Sequence, residues 1–392
     1  MLLSSVFFYC TPDVATTFGI INITNNPELN SLTYPKYYER SKLNPKTKRI
    51  ARILLQVVIM VAIFAALLWY VGLGALYNAL VNIKVEYLIL AFASYFGINI
   101  LFTVRLQRVL KKEGIKTTFG RTLMAQYAGM LTSDVTPGRS GYILTPLYLR
   151  DQDVPTSKSL SGILSIQTIE FLVKVAGGIG AVIFLLQVVP LVNWQHFQDT
   201  TGLNGLFVAG LGIALMLVGA IVLAAVTWSE KALTLFNRIA NWRFLKKFTG
   251  GILGKLEEFR ESSKKNSKAI PEIILLTMLC WILKGFEWYF LGLALGITQI
   301  PWIGYFLIHP LVTALGFVPI TPAGAGVQEF GIVGIFTLLF AAPISIEIKA
   351  TIGAFAILAR GLLIIEDLAG VPQIVKTSGM LFSRKKPDTP TT

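Results

Sequence analysis

Thr136-Pro137-Gly138-Arg139-Ser140-Gly141 and Thr321-Pro322-Ala323-Gly324-Ala325-Gly326 each interrupt an apolar run, the first within residues 122–149 and the second within 303–342. Proline cannot continue a helix, and glycine admits tight or left-handed backbone. Each string therefore reads as a turn set inside a hydrophobic segment. Uninterrupted apolar runs lie near 53–70, 87–103, 160–189, 204–227, 271–297 and 350–370. Several reach the ~20 residues that a helix needs to cross a bilayer. The chain of 392 residues is 54% apolar and only 14% charged, with a mean hydropathy of +0.65, whereas a soluble domain carries about 25% charge. A soluble two-domain enzyme, a coiled coil and a disordered chain are excluded. The expected class is an all-α polytopic membrane protein.

The formal net charge of +14 is read as the cytoplasmic bias of Lys and Arg in membrane proteins, and no nucleic-acid partner is expected. Its distribution supports this, because 27 of the 35 cations fall in four patches: 36–52, 104–121, 228–269 and the C-terminal tail. The connections 71–86, 191–203, 298–302 and 343–349 hold only Lys84 and Lys349. With the rich patches inside and the poor ones outside, segment 122–149 begins and ends inside, and 303–342 begins and ends outside. The first is too short for two spans and reads as a re-entrant hairpin. The second is a hairpin or two short spans.

Residues 53–189 and 204–370 then share one order (span, span, hairpin, span) and start on opposite sides of the membrane. The expected architecture is two inverted-topology repeats, each of three spans plus a re-entrant helical hairpin. Such repeats place broken helices at the midplane site of secondary transporters. The expected division is a polar and basic N-terminal cytoplasmic extension (1–50), a first repeat (51–190), the start of the second (191–227), a basic cytoplasmic loop (228–269), the rest of the second repeat (270–372) and a disordered cytoplasmic tail (373–392). The short apolar run that opens Met1-Leu2-Leu3-Ser4-Ser5-Val6-Phe7-Phe8 has no cationic n-region before it, so a cleaved signal peptide is not expected. Both termini are expected in the cytoplasm, in a multi-pass protein of the cell membrane. Loop 228–269, with Leu245, Phe248, Leu253, Leu256 and Phe259 among its cations, reads either as an amphipathic helix on the inner leaflet or as an ordinary basic connection.

An ionisable side chain within the membrane needs a reason. By this map Asp134, Arg139, Glu170, Lys174, Lys284, Glu287, Glu329 and Arg360 are such residues. Glu170 and Lys174 are spaced to pair on one helix face, as are Lys284 and Glu287. These pairs either fix helix packing or line a substrate or ion path. A helix starting near Ser140–Gly141, with Arg139 beside its first turn, would attract an anion to its free N–H groups. A second, starting after Gly324 and Gly326, places Glu329 in its first turn. Together they would suit a phosphate, aided by Arg139, Lys174, Lys284 and Arg360. Asp134 and Glu329 are candidates for proton coupling. No catalytic motif, metal centre or cofactor is expected: Cys10 and Cys280 are far apart, His196 and His309 are the only histidines, and no nucleotide-binding glycine motif occurs. Trp69, Tyr70, Trp194, Trp228, Trp281 and Trp302 read as an aromatic belt. Gly177, Gly178 and Gly180 read as close-packing positions, and His309 as a satisfied polar group.

Over roughly residues 50–372 the sequence resembles the lysylphosphatidylglycerol synthase transmembrane (flippase-like) family. The likeness rests on Thr136–Gly141 and, above all, on Pro319 to Glu329 followed by Arg360. It departs from that family's pattern at Tyr142, where many members have Glu, and at Asp134, near where many have Asn. The resemblance implies translocation of lipids, or association with head-group synthesis. The soluble transferase domain of some members has no room here, although a separate cytoplasmic transferase is a possible partner. The leading expectation is a protein that moves an anionic, phosphate-bearing lipid or lipid-linked intermediate between leaflets. The alternatives are a membrane subunit or enzyme of glycolipid or phospholipid head-group synthesis, for which Glu366 and Asp367 are the only adjacent acids at a span end, and a small-ion or osmolyte transporter.

Overall fold

The computed structural model describes residues 45–136, 138–201, 204–229, 261–316, 321–340 and 345–383. Residues 1–44 of the N-terminal extension, Pro137, Pro319, the hydrophobic residues quoted from the basic loop and the tail beyond Ser383 lie outside these. The described residues form helices and no strand. In chain order they are α1 (Pro45–Val71), α2 (Leu73–Val81), α3 (Val85–Lys112), α4 (Phe119–Asp134), the short α5 (Thr145–Tyr148), α6 (Thr156–Val188), α7 (Leu191–Thr201), α8 (Gly205–Trp228), α9 (Ile270–Ala294), α10 (Trp302–Gly316), α11 (Val327–Leu338), α12 (Ile346–Asp367) and α13 (Val371–Ser383). Five stretches are long and apolar enough to cross a membrane: 54–71, 85–112, 156–188, 261–294 and 346–379. The chain is a multi-pass membrane protein.

The helices end where local chemistry ends them. α3 runs for 28 residues, about 42 Å at the helical rise. Lys111 and Lys112 occupy its last turn, where cations complement the helix dipole. α1 stops at Gly72, whose φ of +85° breaks the path. Three stretches differ from the sequence reading. Connections 71–86 and 191–203 hold the helices α2 and α7, since both carry enough apolar and helix-forming residues to fold against their neighbours. Residues 373–383, expected in a disordered tail, belong to α13. It is tied down by Gln373, whose Nε2 donates to the Tyr148 carbonyl at 2.6 Å, and by Lys376, paired with Asp151 at 2.7 Å.

The two broken segments consist of short arms. α4 has 16 residues, α10 has 15 and α11 has 12, each below the length of a span. α3 lies against α9 along its length, and the Lys84 N–H donates to the Ala294 carbonyl at 2.9 Å where the start of α3 meets the end of α9. α6 is flanked by α8 and α10, and α12 is flanked by α1, α2, α4 and α11. A buried aromatic cluster of Trp288, Tyr305, Phe336 and Phe355 ties α9, α10, α11 and α12 together, with ring centroids 4.8–6.2 Å apart.

Trp281 does not sit in an aromatic belt. It stacks on Phe306 at 4.3 Å and donates its indole N–H to the Phe306 carbonyl at 2.7 Å. A polar N–H amid apolar helices needs a partner, and this backbone oxygen supplies one. Trp69, by contrast, is 86% exposed. Gly177 packs as the sequence suggested: a Cβ there would lie 2.5 Å from the Trp281 ring and 2.7 Å from Pro310. Gly177→Ala should destabilise the protein by about 1–3 kcal/mol through overpacking, read as a lowered melting temperature in detergent. Gly74→Ala, with nothing within 4 Å of the new methyl, should leave melting unchanged.

Candidate functional site

The site is built around the two turns. α4 ends at Asp134, and Thr136 then organises the first turn. Its hydroxyl donates to the Thr132 carbonyl at 2.9 Å and accepts the Gly141 N–H at 2.7 Å. Ser133 donates to the Arg139 carbonyl at 3.0 Å. Gly138 and Arg139 are left-handed, at φ +61° and +55°. The second turn repeats this backbone position for position, with Ala323 at +48° and Gly324 at +68°. A left-handed residue with a Cβ costs about 1–2 kcal/mol, so both Arg139 and Ala323 are held there by their surroundings. The turns touch: the Ala323 N–H donates to the Thr136 carbonyl at 2.9 Å.

The helix starts differ between the turns. Beyond the first, Ser140–Leu144 is a 3-10 turn rather than the start of a long helix, because the Thr136 hydroxyl captures the Gly141 N–H and curls the chain. Beyond the second, α11 starts at Val327 with Glu329 in its first turn, as expected. The Glu329 carboxylate accepts the Gly326 N–H at 2.5 Å. The N–H groups of Gly141, Ala323 and Gly326 are therefore bonded within the protein, and the charge offered to a ligand comes from side chains.

Those side chains form a set of buried ion pairs. Arg360 on α12 binds Glu329 through Nε, Gln328 Oε1 through Nη2 at 3.1 Å, and the Ala323 carbonyl through Nη1 at 3.4 Å. It thus clamps the second turn to α11. Arg139 binds Asp134 at 2.6 Å, and Lys284 binds Glu287 at 2.6 Å. Glu170 holds two cations, Lys174 at 2.8 Å and Arg105 at 3.0 Å. Arg105 also donates to Thr277 at 2.8 Å. The sequence reading placed Arg105 in a cytoplasmic patch, yet it is 1% exposed. The available signal was its place only two residues past an apolar run, on a helix that continues for two more turns.

These residues surround one cavity, which encloses about 940 Å³ of non-protein space counted out to its mouth. Arg105, Arg139, Lys174, Lys284 and Arg360 line it, with Glu170 and Glu329 as the lining carboxylates. Ile98, Phe102, Val173, Ile332 and Leu363 supply apolar wall. His309 also lines it, edge-on to Trp288 at 4.9 Å. Of the predicted residues, Arg139, Glu170, Lys174, Lys284, Glu329 and Arg360 face this space. Asp134 and Glu287 stand behind it, each holding a lining cation. Ser140, Gly141, Gly324 and Gly326 shape the turns and do not line it. Asp367 was considered only as an interfacial acid. It is instead wholly buried, and the Tyr95 hydroxyl donates to its carboxylate at 3.0 Å.

Residues 53–365, which hold both turns and every lining residue, match the family model described as the lysylphosphatidylglycerol synthase TM region. The chain belongs to this family. It is also similar to a UPF0104 membrane protein of Pyrococcus horikoshii, at 22% identity over 296 residues, covering 70% of this chain and 84% of that protein. The family is consistent with a membrane protein of lipid metabolism or transport.

Breaking a buried ion pair leaves an uncompensated charge and costs about 3–5 kcal/mol. Glu329→Ala should therefore lower stability by about that amount. Glu329→Gln, which keeps an acceptor for the Gly326 N–H, should lose less. Thermal unfolding in detergent measures both.

Proposed function

We propose that this protein moves an anionic, phosphate-bearing lipid or lipid-linked intermediate between the leaflets of the cell membrane. The observation that carries the reading is the cavity beside the touching turns, where five cations face two carboxylates along a partly apolar wall. A head-group phosphate takes charge-assisted hydrogen bonds from arginine and lysine, while apolar wall suits the adjoining acyl or prenyl chain. Arg139 and Arg360 come from opposite halves of the chain, so one phosphate would bridge the halves.

In this proposal the halves are inverted-topology repeats, and the broken segments are re-entrant hairpins. The helix pairings support it. Spans α3 and α9, equivalent in the two halves, pack on each other. α6 meets α8 and α10 as α12 meets α1, α2 and α4, so each half's last span cradles the other half's first span and hairpin. The matched left-handed pairs in the two turns support it too. The cation-rich patches support a cytoplasmic location for both termini. A separate cytoplasmic transferase would be a natural supplier of the lipid.

Liposomes reconstituted with the protein test the proposal. Labelled phosphatidylglycerol or polyprenyl phosphate should redistribute between leaflets. A lost charge-assisted bond is worth about 1.5–3 kcal/mol, so Arg139→Gln and Lys174→Gln should each slow redistribution about ten- to hundredfold. Glu272→Gln, in an exposed pair with Lys112, should not. Unchanged redistribution in folded Arg139→Gln and Lys174→Gln would refute the assignment.

A further inference from the structure

One stretch of the cavity wall is polar without being part of the ion pairs. His309 and Thr313 on α10 and Gln328 on α11 line it, and each is more than nine-tenths buried. The sequence suggested a satisfied polar group at His309, but its imidazole makes no hydrogen bond to a described residue. The ring is fixed edge-on to Trp288 at 4.9 Å. Neither of its nitrogens is sealed in the interior, so both open on the cavity. The Thr313 hydroxyl donates to the Pro310 carbonyl at 2.9 Å and keeps its oxygen as an acceptor. Gln328 Oε1 accepts from Arg360 Nη2 at 3.1 Å. A guanidinium can only donate, so this bond fixes which end of the amide faces Arg360. The amide N–H groups point elsewhere and bond no described residue.

These groups follow one face of α10. Thr313 lies one turn beyond His309, on the same side of the helix. Gly316 ends that face, and a Cβ there would lie 3.0 Å from Gln328 Oε1. From His309 to Gly316 the helix rises about 10 Å. The strip therefore starts beside Arg360, where a phosphate would sit, and runs on past it. It offers amide N–H donors, a hydroxyl acceptor, and an imidazole that in its neutral form both donates and accepts. Hydroxyl groups match such a mixed wall, because each can donate and accept. An acyl ester carbonyl only accepts, and would leave the Thr313 oxygen and the imidazole acceptor unpaired at a cost. We infer that His309, Thr313 and Gln328 form a subsite for a polyhydroxylated head group, of the sugar or cyclitol kind, carried on the phosphate that the cations hold. The inference rests on the proposed lipid-phosphate reading and narrows its substrate class. With the phosphate on Arg360, the nearest hydroxyl meets the Gln328 amide, and those farther along meet Thr313 and His309.

Short-chain phosphatidylinositol and phosphatidylmethanol with identical acyl chains are the probes. Both carry a singly charged phosphodiester, and only the first has hydroxyls beyond it. Binding of each is measured on the full chain in nanodiscs. A neutral hydrogen bond is worth about two- to tenfold in affinity, so phosphatidylinositol should bind about ten- to hundredfold more tightly than phosphatidylmethanol. Phosphatidylglycerol, with fewer hydroxyls, should fall between them. His309→Phe and Thr313→Val, which keep shape and remove polarity, should each narrow the gap by about two- to tenfold. That is a change in ratio, which partial misfolding cannot produce. His309→Gln, which restores a donor and an acceptor, should recover most of the gap. Equal affinity of the wild type for the two lipids, or a gap unchanged in both His309→Phe and Thr313→Val, overturns the subsite and leaves the lipid-phosphate reading standing. So does a loss in His309→Phe that falls equally on both lipids, which would assign the imidazole to the chain esters. Binding of neither lipid to the wild type overturns both.

Discussion

A charge placed in hydrocarbon must be neutralised close by, and this protein meets that constraint with a set of buried ion pairs that also acts as its architecture. Arg360 holds α12 to α11 and to the second turn, while Arg105 and Lys174 converge on Glu170 from α3 and α6. Remove the pairs and the interior would have to either expel the charges or flood. With them, the helices are fixed around a space whose lining is cationic and whose second layer is acidic.

That layering explains how a strongly ionic cavity coexists with a stable membrane fold. Asp134 and Glu287 sit behind the cations they hold, so the positive ends face inward to the open space. The paired cations are displaceable in a way that unpaired ones would not be: a ligand phosphate exchanges one counter-charge for another. The turns contribute geometry more than charge. Their N–H groups are spent on Thr136, on Glu329 and on each other, and what they present is the position of Arg139 and the backbone seat of Arg360.

Much of the site was legible in the chain. Intramembrane charges are rare enough that Arg139, Glu170, Lys174, Lys284, Glu329 and Arg360 could be picked out one by one, and all six face the cavity. Spacing correctly paired Glu170 with Lys174 and Lys284 with Glu287, since i,i+3 and i,i+4 neighbours share a helix face. The partners of Arg139 and Arg360 were beyond that rule for different reasons. Asp134 reaches Arg139 only because the intervening turn is left-handed, and Glu329 reaches Arg360 across 31 residues and a change of helix. Arg105 was missed because a charge count treats every cation near a span end as solvated, whereas α3 carries this one inward.

By itself the sequence determined the class, the apolar segments and the two broken runs. All of these follow from composition along a line and from the cost of polar groups in lipid. Only the tertiary structure decided that the two turns meet, that the helix ends are already bonded, that Asp367 is buried beneath the Tyr95 hydroxyl, and that the charges of both halves surround a single space. Such facts depend on contacts between residues hundreds of positions apart, as Tyr95 and Asp367 are. Hydrophobic pattern places each helix in the membrane, but it leaves open which helix lies beside which until side chains interlock.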